Sequence, residues 1–132
     1  MMHPQIEAQF QELCRRFVDV RPWNLVDGST LIEVPHQPLR PADAWNKQET
    51  KILFIAPLGY PQARPDCFWA DEDLRLSGGA MPTNTGLQSI PNAPPEVGPR
   101  LWFSWHVTSW DLQKDTLSTY VEVIRQRLKE AR

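Results

Sequence analysis

The chain is expected to adopt an α+β fold, with an antiparallel β-meander of about four strands held between an N-terminal and a C-terminal helix. Three observations point there. Apolar residues recur with a helical period near both ends, in residues 5–20 and 114–131. Between them lie short apolar runs rich in β-branched and aromatic residues, each closed by proline or glycine. The 13 prolines in 132 residues are about double the usual share of ~5%, which argues against a helical bundle.

The first element covers residues 5–20. Ile6, Phe10, Leu13 and Phe17 fall on one helical face. Pro4 suits a first turn, and Pro22 prevents continuation. Cys14 stands beside Leu13 and Phe17 and is expected to act as a small core hydrophobe.

Residues 23–40 read as extended. Leu31, Ile32 and Val34 are strand formers after a Gly28-Ser29 turn, and Pro35, Pro38 and Pro41 end or edge the strand. Residues 42–50 are polar loop. The run KILFIA at 51–56 is a central strand closed by Pro57. In residues 59–71, Tyr60-Pro61 and Arg64-Pro65 impose an extended, non-helical path. An aromatic before proline also favours a cis bond. Cys67, Phe68 and Trp69 form a further strand, antiparallel to the previous one.

Residues 74–100 are expected to form a long irregular loop, since Gly78-Gly79, Pro82, Gly86, Pro91, Pro94, Pro95 and Gly98 leave little room for regular structure. The proline-rich part, 91–99, reads as a partner-binding loop or a tether. Residues 101–107 alternate as a strand. Trp102, Phe103, Trp105 and Trp110 read as core or corner packing, or as a docking surface. Residues 114–131 close the chain as a helix, with Leu117, Tyr120, Val121, Ile124 and Leu128 on one stripe. Asp115 suits its N-cap or first turn, and Arg125, Arg127 and Lys129 suit its C-terminal end.

A chain of this length is read as one domain, 1–132. A net charge of −2 points to neither a nucleic-acid nor a membrane partner. The start lacks the pattern of a signal peptide, and no stretch reaches the ~18 apolar residues of a membrane span. Two cysteines make no disulfide framework, so a reduced, cytoplasmic setting is expected. Neither they nor His3, His36 and His106 show metal-ligand spacing, and Gly78-Gly79 is too short for a phosphate cradle. No cofactor and no metal are expected.

With this order of elements, the residues Tyr60, Pro61 and Pro65 after a strand, and Trp110 ahead of the helix at Asp115-Thr116-Leu117, resemble the ubiquitin-conjugating-enzyme (UBC-like) superfamily. The block Ser104-Trp105-His106, Trp110, Asp115-Thr116-Leu117 and Tyr120 is similar to a bacterial branch, the prokaryotic ubiquitin-conjugating-like family E. The resemblance implies a UBC-like fold. It further implies two partners, a ubiquitin-like protein and the activating enzyme that adenylates it, and transfer of that protein to a target. The chain departs from the superfamily at one point. The usual catalytic cysteine lies shortly before the tryptophan that precedes the last helix, and no cysteine follows Cys67 here.

Acyl transfer needs a nucleophile, a base and an oxyanion stabiliser. Ser104 and His106 are two apart, which on a strand is one face. They are the candidate hydroxyl nucleophile and base, with Asp111 or Asp115 to orient the imidazole and Asn84 to donate to the oxyanion. Thr108 and Ser109 are alternative hydroxyls, and Cys67 is an alternative nucleophile in a strand. The other reading is a catalytically inert variant that binds the ubiquitin-like protein or scaffolds the activating enzyme, with Ser104 and His106 a satisfied pair at a strand end.

Overall fold

Helix α1 spans Pro4–Arg16, and a computed structural model describes it within residues 2–132. Its start is set by His3, whose Nδ1 accepts the Gln5 amide at 3.2 Å. Ile6, Phe10 and Leu13 are buried, as the period requires. The helix stops at Arg16, short of the expected Val20, because Phe17 turns extended and Asp19 takes a φ of 62°. Cys14 is exposed, not a core residue. It sits one position beyond Leu13, and about 100° of helical rotation carries it off the buried face.

The sheet has six strands, not four: β1 (Arg21–Asn24), β2 (Thr30–Pro38), β3 (Glu49–Ala56), β4 (Phe68–Ala70), β5 (Thr85–Ser89) and β6 (Pro99–Phe103). All pairs are antiparallel, in the order β1-β2-β3-β4-β6-β5. The expected irregular loop at 74–100 is therefore corrected. It contains β5 and opens into β6. The residues of β5, TGLQS, are half-buried or exposed, so they carry no apolar alternation to betray a strand. What holds them is the ladder to β6, from Thr85 opposite Phe103 to Ser89 opposite Pro99.

The sheet buries both faces. Ile32, Val34, Ile52, Phe54, Phe68 and Phe103 face α1 and the second helix, α2 (Leu117–Arg127). Phe68 and Phe103 stack with centroids 4.6 Å apart. On the opposite face Leu31, Leu53 and Trp69 are covered by Leu25, Ile90 and Val97. The proline-rich segment is thus a lid on a second core, and this accounts for the unbroken apolar run of β3. The aromatic cluster divides accordingly. Trp102 packs on the second core, while Trp105 and Trp110 pack on the first.

Helix α2 begins three residues later than expected. Thr116 is its N-cap, and Thr116 and Thr119 exchange side-chain-to-backbone hydrogen bonds in a capping box. Asp115 instead closes the preceding turn, its carboxylate accepting the Asp111 amide at 2.7 Å. Leu117, Tyr120, Val121 and Ile124 are fully buried. Arg127 is also buried, at 1% exposure, although its position reads as an ordinary basic last turn. Its guanidinium lies over Phe103 and Trp105 and donates to the carbonyls of Thr83, Glu130 and Arg132. Among the described residues no helix is long and apolar enough to cross a membrane.

Candidate functional site

The tyrosine-proline turn and the tryptophan before α2 meet in space. Trp110 Nε1 donates to the Pro61 carbonyl at 3.1 Å, and its ring meets Tyr60 edge-on, with centroids 6.1 Å apart. The Tyr60-Pro61 bond is cis, as expected. Tyr60 donates its hydroxyl to Gln9 Oε1 at 2.5 Å, and the same oxygen accepts the first amide of α2, Leu117, at 2.9 Å. Gln9 therefore ties three elements together. Burial holds the Tyr60 hydroxyl well above its usual pKa.

This clamp aligns the end of the turn, Asp66-Cys67, with the segment leaving β6. Strand β6 ends at Phe103 rather than continuing to Val107. Past that end the Ser104 amide donates to Asn84 O at 2.8 Å, and the Trp105 carbonyl accepts the Cys67 amide at 2.9 Å. Cys67 is held from its other side by Tyr120, whose hydroxyl donates to the Cys67 carbonyl at 2.7 Å. Its φ of 60° is in the left-handed region, uncommon for a residue with a β-carbon. Such backbone persists where its surroundings over-determine it, and here a bond on each side does so.

Two exposed side chains stand beside this cysteine. His106 Nδ1 lies 2.5 Å from Asp66 Oδ1, with both side chains 63% exposed. One donor atom from each of Asp66, Cys67 and His106 falls within 4.8 Å of the other two. Cys67 itself is only 9% exposed. Burial raises its thiol pKa, and the charge of Asp66 raises it further against hydrogen bonding from the Trp105 backbone and the Trp102 side chain. The resting group is a thiol, to be deprotonated only with help from a base.

Of the residues expected from the sequence, Ser104 and Asn84 are brought together through the backbone. Neither side chain has a hydrogen-bond partner among the described residues. His106 does not bond Ser104. Its partner is Asp66, forty residues away, and neither Asp111 nor Asp115 orients the ring. Those two acids serve the turn ahead of α2, which places their carboxylates on backbone amides. Thr108 and Ser109 are exposed. Asp66 was missed because it offers no motif. Only its adjacency to Cys67 hinted at a role.

His106 also lines a cleft of about 380 Å³ between residues 105–108 and α2. Trp105, Val107 and Val123 make its apolar wall, and Thr119, Glu122 and Gln126 its polar one. An aspartate-oriented imidazole beside a thiol, opening on a partly apolar cleft, is equipped to move a proton during attack on a carbonyl.

Residues 18–131 match the family model described as Prokaryotic E2 family E. No curated protein and no solved structure matches the chain.

Proposed function

The chain belongs to prokaryotic E2 family E, and on that premise we propose that it is a single-domain, UBC-like carrier that accepts a ubiquitin-like protein from an activating enzyme and passes it to a target. The setting is a bacterial cytoplasm. The observation that carries the chemistry is the 2.5 Å Asp66–His106 pair with the Cys67 sulfur inside the same 4.8 Å cluster.

In this reading Cys67 is the nucleophile and His106 the base. Asp66 accepts from Nδ1, fixing the tautomer and steadying the imidazolium that forms. The Cys67 sulfur bonds to the terminal carbonyl carbon of the ubiquitin-like protein. The bond from that carbon to the activating enzyme's sulfur breaks, and the Cys67 proton passes through His106 to the departing thiolate. A base is needed because burial keeps Cys67 protonated at rest.

A second reading places the acyl group on Ser104 as an ester. It is favoured by the partly open position of Ser104, two residues from His106 and bonded through its amide to Asn84.

The test is incubation with activating enzyme, ubiquitin-like protein and ATP. A thiol-labile adduct, lost in Cys67→Ala and kept in Ser104→Ala, supports the first reading. A thiol-resistant, alkali-labile adduct lost in Ser104→Ala moves the nucleophile to the serine. Binding without any adduct leaves an inert module and overturns both.

A further inference from the structure

The linear spacing of cysteine and histidine gives no metal signature, yet the fold gathers three different donor types at one point. The geometry points to Asp66, Cys67 and His106 as a three-ligand site for a zinc-class divalent cation. The inference does not rest on the acyl-transfer reading: an ion held there occupies the Cys67 sulfur and the His106 imidazole, so the metal-bound state and the acyl-accepting state exclude one another.

The donor set is a thiolate, an imidazole and a carboxylate. Thiolate with imidazole selects zinc and its neighbours over magnesium and calcium, which prefer oxygen. Three protein ligands leave a fourth tetrahedral position for water, the arrangement of an open rather than a closed zinc site. Metal bonds of about 2.0–2.3 Å to these donors set tetrahedral ligand separations of about 3.2–3.8 Å. The three donors already lie within 4.8 Å of one another. The Asp66–His106 contact, at 2.5 Å, is tighter than two ligands of one ion allow. Inserting the ion therefore parts that pair by about 1 Å, and both side chains are exposed enough to yield.

The least mobile ligand is also the softest. Cys67 is buried, with its amide bonded to Trp105 O and its carbonyl to Tyr120 Oη. The ion would thus meet a fixed sulfur and two adjustable partners. Binding replaces the S–H bond with an S–metal bond and releases that proton to solvent, while the imidazole stays neutral with its proton on Nε2 and Nδ1 free to ligate. Thiolate and carboxylate charges then balance the dication.

The full chain carrying Cys14→Ser, which removes the one other thiol, is treated with chelator and titrated with Co²⁺. The expected result is one equivalent bound, with tetrahedral visible bands and a near-ultraviolet sulfur-to-cobalt charge-transfer band, both displaced by Zn²⁺. In this background Cys67→Ser abolishes the charge-transfer band, and Asp66→Asn and His106→Ala each weaken binding at least tenfold. Circular dichroism identifies any variant that has unfolded, and the parent's charge-transfer band then decides alone. A weak octahedral spectrum without that band, or affinity indifferent to all three substitutions in folded variants, overturns the site. Adduct formation is not part of this measurement, so failure here and failure of acyl transfer are separate outcomes.

Discussion

His106 Nδ1 and Asp66 Oδ1 lie 2.5 Å apart, although forty residues separate them in the chain. The contact exists because one backbone bond holds the two segments side by side. The Cys67 amide binds the Trp105 carbonyl, so the residue before Cys67 and the residue after Trp105 must stand side by side. An imidazole held at Nδ1 by a carboxylate presents Nε2 for proton transfer.

If this pair is the acid–base element, Asp66→Asn and His106→Gln should each slow adduct formation by about 10²–10⁴-fold. Affinity for the ubiquitin-like protein should stay within a factor of a few. Single-turnover gel assays beside a binding titration separate the two quantities. Equal losses in rate and affinity would assign the pair to docking instead.

Gln9 should matter for stability beyond its half-buried position. Its Oε1 accepts from Tyr60 Oη and from the Leu117 amide. Gln9→Ala leaves a partly buried hydroxyl and a helix-starting amide without their acceptor, a loss of about 1–3 kcal/mol. Urea unfolding measures it. Gln11→Ala, whose amide reaches only Glu7 on the exposed side of the same helix, should stay within about 0.5 kcal/mol of the parent.

The second face of the sheet provides a different check. Ile90 is 3% exposed and packs in the cluster of Leu31, Leu53 and Trp69. Ile90→Ala should cost about 2–5 kcal/mol. A mere tether at 91–99 would make the change nearly neutral. Thermal unfolding distinguishes the two.

His36 should titrate above its ordinary 6.5. The hydrogen bond to Glu49 at 3.0 Å raises its pKa first, desolvation opposes, and the charge of Glu49 and the more distant Asp19 assist. A histidine whose folded pKa exceeds its unfolded value stabilises the fold fully below the unfolded pKa and loses that contribution as pH rises through the folded one. The His36 ring-proton resonance followed by NMR should show the upward shift. Glu49→Gln should return it toward 6.5, and added salt should shrink it because the group is exposed.

Both helices, the central KILFIA strand and the tyrosine-proline turn were legible because each is written in local chemistry. Leu117 to Ile124 and Ile6 to Leu13 carry a helical period, 51–56 is continuously apolar, and proline restricts its own backbone and its neighbour's. The block of Ser104-Trp105-His106, Trp110, Asp115-Thr116-Leu117 and Tyr120 that resembled prokaryotic E2 family E was equally local, and the match over residues 18–131 bears out that family; so was the absence of any cysteine after Cys67.

Strand β5 was not legible, because a half-exposed edge strand is held by its neighbour's backbone and needs no apolar pattern of its own. The buried Arg127 was hidden for a related reason, since its partners are carbonyls at Thr83, Glu130 and Arg132 rather than a sequence neighbour. The same holds at the site. The sequence by itself determined that an aromatic strand leads towards His106, although it ran that strand on to Val107, and that Cys67 follows a proline turn. Only the tertiary structure decided that β4 and β6 pair at Phe68 and Phe103, bringing Asp66 and Cys67 to His106. Register between distant strands comes from burial and backbone pairing across the sheet, and neither is encoded in any local run of residues.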